Sequence, residues 1–122
     1  MIRVLIADTQ FLLREGIKSL ILNCNGIELA GEVMHNSSLL DRVKILQPDV
    51  VIIDHNISGF FDIGDIKAIL NNFPGTGIIA ITSIPEKESI SAAVDNGVCG
   101  YILKECDGPE IIEAIHSVSR NE

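Results

Sequence analysis

The run Pro48-Asp49-Val50-Val51-Ile52-Ile53-Asp54 decides the fold. Its four consecutive β-branched residues leave no polar side for water, as a strand covered on both faces requires. Val4-Leu5-Ile6-Ala7, running into Asp8, and Ile78-Ile79-Ala80-Ile81, running into Thr82, repeat the pattern. With two weaker runs, the expected strands are Ile2–Ala7, Glu28–Val33, Asp49–Ile53, Gly77–Ile81 and Gly100–Leu103. A sheet built from such strands is parallel, and the segments between them must be helices that cover it.

Those segments carry helical spacing. Leu13, Ile17, Leu20 and Ile21 form one stripe, and Leu39, Leu40, Val43 and Leu46 a second. Ile63, Ile66, Ile69 and Leu70 form the third, Ile90, Ala93 and Val94 the fourth, and Ile111, Ile112, Ile115 and Val118 the fifth. Punctuation agrees: Pro48 stops the second helix, and Asn25-Gly26 and Asn96-Gly97 are turn or cap dipeptides. Pro85 and Pro109 stand at first helical positions, with Glu86 and Glu110 following in the first turn. Five βα units are too few for a closed barrel of eight. The expected fold is α/β: a flavodoxin-like (βα)5 doubly wound open parallel sheet of strand order 2-1-3-4-5, with its switch point between strands 1 and 3.

Composition bounds what such a domain can do. The 122 residues make one domain, 47% hydrophobic with 21 isoleucines, which excludes general disorder. A net charge of −8 argues against contact with nucleic-acid phosphates or anionic lipid by this domain itself. Asp8 and Arg14 interrupt any leader-like apolar run, and no stretch is long enough to span a membrane, so a cytoplasmic protein is expected. Cys24, Cys99 and Cys106 are odd in number and lack metal or disulfide spacing, so they read as small packed side chains in a reduced chain. His35, His55 and His116 show no metal-ligand spacing and read as surface residues, with His55 placed to tune the approach to Asp54.

In open parallel sheets ligands bind beyond the carboxyl ends of the strands, next to the switch point. Strand 1 runs into Asp8-Thr9, strand 3 into Asp54-His55-Asn56, strand 4 into Thr82-Ser83 and strand 5 into Lys104. Asp8 and Asp54 are therefore expected to face one another. Two close carboxylates repel and are relieved by a cation, and hard oxygen donors on a half-open site suit Mg²⁺. A hydroxyl and a lysine beside them neutralise phosphoryl oxygens, so the set describes phosphoryl transfer onto a carboxylate.

Ile2-Arg3-Val4-Leu5-Ile6-Ala7-Asp8, Arg14-Glu15-Gly16, Pro48 to Asp54, Thr82-Ser83 and Gly100-Tyr101-Ile102-Leu103-Lys104 together resemble a response regulator receiver domain. The variety that precedes a LuxR/NarL-type helix-turn-helix domain is the nearest match, and the resemblance covers essentially the whole chain. It implies a receiver of a two-component phosphorelay over residues 1–122, either a complete protein or the N-terminal module of a longer DNA-binding transcription regulator. It further implies that Asp54 takes a phosphoryl group from a histidine kinase, with Mg²⁺ held by Asp8, Asp54 and the main-chain carbonyl of Asn56. Thr82 and Lys104 would meet the phosphoryl oxygens. Tyr101 would be the switch aromatic that reports Thr82 to a partner or effector surface. The domain would catalyse at most its own phosphorylation and dephosphorylation. Apolar remainder on the first, fourth or last helix is the surface from which a homodimer would form.

The sequence departs from the family pattern at Thr9, where a neutral hydroxyl replaces the second acid of the pair and serves only as a weak ligand. The expected Mg²⁺ affinity falls accordingly. Ser58, Phe61-Asp62 and Pro85 are further departures in the loops. They keep a second reading open: a phosphorylation-independent pseudo-receiver, acting as a protein-interaction or dimerisation module. A flavodoxin-like cofactor carrier is disfavoured because Asp8-Thr9-Gln10-Phe11-Leu12 offers an acid where a phosphate loop needs glycine or hydroxyls. A phosphatase-type hydrolase would want a second acid where Asn56 stands.

Overall fold

Five parallel strands build the sheet: β1 (Ile2–Ala7), β2 (Ile27–Val33), β3 (Val50–Asp54), β4 (Gly77–Thr82) and β5 (Gly100–Leu103). Among the described residues four helices accompany them in the computed structural model: α1 (Phe11–Leu22), α2 (Leu39–Leu46), α3 (Ile63–Asn72) and α4 (Gly108–Ser119). The structure describes residues 1–8, 10–34, 39–54, 63–82, 97, 100–103 and 107–120. The fourth helical stripe, with Pro85 and Glu86, lies outside these residues. Strand order is β2-β1-β3-β4-β5 with every pairing parallel, as expected.

Burial follows from the sequence pattern. Val4–Ala7 and Val50–Ile53 are each at most 1% exposed, because successive side chains point to opposite faces and both faces are covered. Leu5, Ala7, Val51, Ile53, Ile78 and Ala80 pack against Leu39 and Val43 of α2 and Ile66 and Ile69 of α3. Val4, Ile6, Val50, Ile52, Ile79 and Ile81 pack against Ile17 and Ile21 of α1 and Ile111, Ile115 and Val118 of α4. The described helices thus divide two and two between the faces, which makes the sheet doubly wound.

The ends of elements differ from expectation by single residues, each for a local reason. β3 is Val50–Asp54 rather than Asp49–Ile53. The Asp49 carboxylate accepts the Arg3 N–H at 2.9 Å ahead of the strand, while Asp54 stays in register with Ile81. β4 extends to Thr82, which pairs with Leu103. In α4 Pro109 is the second helical residue, not the first. Asp107 is the N-cap, its side chain accepting the Glu110 N–H at 3.2 Å. α2 stops where Pro48 requires, with Gln47 at φ +46° and its N–H donating to the Val43 carbonyl.

Gly77 opens β4 directly beneath Val118 of α4, and an added Cβ would overlap Val118 Cγ1. Gly77→Ala is expected to lower stability by about 1–3 kcal/mol, since the β-branched Val118 must leave its preferred helical rotamer or shift α4 to make room. Urea denaturation midpoints of the two proteins check this.

Candidate functional site

The candidate site lies at the carboxyl edge of the central strands. Ala7 of β1 is in register with Ile53 of β3, so Asp8 and Asp54, each the next residue, leave neighbouring strands at the same level. Paired strands lie about 4.8 Å apart, which keeps the two acidic residues adjacent. Asp54 is in register with Ile81, so Thr82 ends β4 one level further along the next strand. The chain passes from β1 out to β2 and returns across the sheet to β3, which makes this the switch point where the order reverses. Tyr101 of β5 pairs with Ala80. Thr9, Asn56 and Lys104 lie outside the described residues, as do His35, His55, Ser58, Phe61, Asp62, Cys99 and Cys106.

Asp8 is 2% exposed and held at several points. Its N–H donates to the Val33 carbonyl at 3.0 Å, extending the β1–β2 ladder by one residue. Its Oδ1 accepts the Gln10 N–H at 2.7 Å, a local turn that competes with helix and delays α1 until Phe11. Its carbonyl accepts from Nη1 of Arg14 at 3.0 Å.

Arg14 is the residue that sequence reasoning missed. The sequence marks it as a break in the leading apolar run and as part of Arg14-Glu15-Gly16, yet it is 7% exposed and occupies the buried face of α1 with Ile17 and Ile21. Its spacing from Ile17 and Ile21 was the available signal. An arginine buried in an apolar stripe must be paired, because an isolated charge there is costly. Arg14 Nε lies 3.4 Å from Glu32 Oε1 on β2, and the guanidinium stands over the Phe11 ring, 5.8 Å from its centroid. Lys18 Nζ meets the other Glu32 oxygen at 3.2 Å and Glu15 at 2.9 Å.

A cavity of about 680 Å³ lies elsewhere, between α1 and α4. Leu20, Cys24, Pro109, Ile112, His116 and Arg120 line it. It is mostly apolar and carries no carboxylate pair, so chemistry is assigned to the sheet edge. Cys24 and His116 are half-buried there. Among the described residues no group of three or more histidine, cysteine or acidic side chains is arranged to hold a metal. No described helix is long and apolar enough to cross a membrane.

This arrangement matches a known family over residues 4–116, and the chain belongs to the response regulator receiver domains. It is 31% identical, over 99% of its length, to the transcriptional regulatory protein YxjL of Bacillus subtilis strain 168, spanning 56% of that protein. It is 27% identical, again over 99% of its length, to the response regulator protein VraR of Staphylococcus saprophyticus, spanning 58% of it. The chain thus spans a little over half the length of these curated relatives. In fold it is similar to the signal receiver domain of NarL from Mycobacterium tuberculosis (TM-score 0.92, 23% identity, 99% of this chain and 98% of that one). The isolated receiver domain of RcsB from Salmonella enterica serovar Typhimurium, solved with phosphomimetic BeF₃⁻, has a TM-score of 0.88 at 24% identity, covering 99% of this chain and 90% of that one.

The charges beside Asp8 predict a pH dependence. Hydrogen bonds to Glu15 and then Glu32 raise the Lys18 pKa above its ordinary 10.5. A raised folded-state value means the stabilisation is complete below the unfolded value and is lost as pH climbs through the folded one. The difference in urea midpoint between the wild type and Lys18→Gln should therefore be constant near neutrality and shrink only above about pH 10.5.

Proposed function

We propose that this receiver takes a phosphoryl group onto Asp54 from the phosphohistidine of a histidine kinase, in a Mg²⁺-dependent phosphorelay that regulates transcription. The observation that carries the reading is the register of β1 and β3, which sets Asp8 beside Asp54 at the switch point, with Thr82 on the next strand. In the transfer the phosphorus–nitrogen bond of the donor breaks and a phosphorus–oxygen bond to the Asp54 carboxylate forms. The bonding pair returns to the donor nitrogen, and the imidazole leaves neutral because its other ring nitrogen carries a proton in the reacting phosphohistidine. Positioning and charge neutralisation carry such a reaction. The Thr82 hydroxyl and the Lys104 ammonium would meet phosphoryl oxygens, and Asp8 would set the acidic side of the pocket. Tyr101, one strand further, would turn with Thr82 and change the outer surface, a local charge change biasing a two-state element.

A hard divalent cation fits the donors at hand, the carboxylates of two residues that leave adjacent strands at the same level. Asp8, Asp54 and the carbonyl of Asn56 would hold Mg²⁺, with Thr9 a weak fourth ligand, and the ion would supply charge neutralisation to the carboxylates and phosphoryl oxygens. Output would pass to an effector domain or partner protein, with a homodimer as one route. The charge of −8 supports leaving DNA contact to that effector. Beyond its own phosphorylation and dephosphorylation the domain would turn over no substrate.

One observation favours a second reading. Thr9 removes a carboxylate from the pocket, as a phosphorylation-independent pseudo-receiver working as an interaction or dimerisation module would tolerate. Incubation with acetyl phosphate, with and without Mg²⁺, followed by intact-protein mass spectrometry, separates the two. The expected result is one added phosphoryl group that requires both Mg²⁺ and Asp54 and is lost in Asp54→Ala. No addition to folded protein at high Mg²⁺ would favour the interaction module.

A further inference from the structure

We infer that Arg14 and Glu32 form a positioning pair for the acidic pocket, and that the charge of Glu32, shared with Lys18, sets how strongly the pocket attracts its cation. This rests on the reading of Asp8 as part of a Mg²⁺ site. Arg14 is the one buried cation among the described residues, and its guanidinium is tied directly to the Asp8 peptide through Nη1. A guanidinium does not lose its proton in proteins, so it projects a permanent positive charge toward a pocket that must take up a divalent cation. Glu32 offsets that charge: one carboxylate oxygen faces Arg14 Nε at 3.4 Å and the other faces Lys18 Nζ at 3.2 Å. The two cations divide one carboxylate. Thr9 sharpens the dependence, because a pocket with one acid fewer relies more on the charges behind it.

The pair also has a steric part. Glu32 is in register with Ile6, two residues before Asp8, so anchoring Arg14 to β2 fixes the guanidinium relative to the strand that delivers Asp8. The guanidinium lies over the Phe11 ring and Arg14 is only 7% exposed, which limits screening by water. Arg14 touches neither phosphoryl group nor cation and acts through the Asp8 peptide and through its charge.

Two substitutions separate this role from simple stabilisation. Glu32→Gln and Lys18→Gln each delete an ion pair, so a purely structural effect would change cation affinity in the same direction for both. Through charge they act oppositely. Glu32→Gln leaves Arg14 uncompensated and should weaken Mg²⁺ binding about three- to tenfold, whereas Lys18→Gln gives Arg14 the whole carboxylate and should tighten it by about twofold. Glu32→Asp, which keeps the charge, should recover most of the affinity. Titration calorimetry of the unphosphorylated chain with MgCl₂ alone reads all four proteins without involving phosphorylation. Shifts of one sign for Glu32→Gln and Lys18→Gln, or none for either, would overturn the inference while leaving the Mg²⁺ site standing. A wild type that binds no Mg²⁺ would overturn the Mg²⁺ site itself, and the inference with it.

Discussion

The central strands β1 and β3 have no face that can meet water. Each side of Val4–Ala7 and Val50–Ile53 must be covered by helices, which forces two layers on the sheet and sends the chain outward to β2 before it returns across β1 to β3. At about 25 cal/mol per Å² of apolar surface, covering both faces is the main favourable term available to a chain of this size. The same constraint forbids polar side chains along the strands. Asp8 and Asp54 follow the apolar runs of β1 and β3 because the ends of the strands are the first positions at which the sequence can place a carboxylate.

That boundary position creates a problem which the fold solves with Arg14. A carboxylate residue that is 2% exposed must be ordered by hydrogen bonds, and Asp8 has them from Gln10 to its side chain and from Arg14 to its carbonyl. The arginine in turn needs a counter-charge within the α1 layer, and Glu32 on the edge strand β2 supplies it. An edge strand can carry Glu32 because its faces are only half covered, whereas β3, covered on both faces, could not. The polar connection therefore runs along the side of the sheet, from the exposed edge to the buried pocket, without crossing the core.

How far this was legible depends on the range of the interaction. Runs such as Ile78-Ile79-Ala80-Ile81 announce buried strands because the signal lies in consecutive residues, and the strand order follows from counting βα units. Boundaries were less legible. Asp49 looks like the start of β3 until its carboxylate is seen capping Arg3, and Pro109 looks like the first helical residue until Asp107 is seen as the cap. Asp8, Asp54 and Thr82 could be singled out because each is a polar residue ending an apolar run. Arg14 was less legible, since its spacing from Ile17 and Ile21 is the one signal it carries and a lone arginine in a helical stripe is more often a solvated side chain. Its partner Glu32 is 18 positions away and joined to it only through strand pairing.

The sequence by itself determined the class of fold, the two-sided burial of the strands and the acidic residues at their ends, because hydrophobic periodicity and strand termination are local properties of the chain. It also determined that this domain carries excess negative charge and a neutral Thr9 beside Asp8. Only the tertiary structure decided which residues share a level of the sheet, that a buried guanidinium holds the Asp8 peptide, and that Glu32 divides its charge between Arg14 and Lys18. Those facts depend on parallel register and on the packing of α1 over β1 and β2. Parallel pairing joins residues far apart in the chain, and no local pattern encodes which of them will meet.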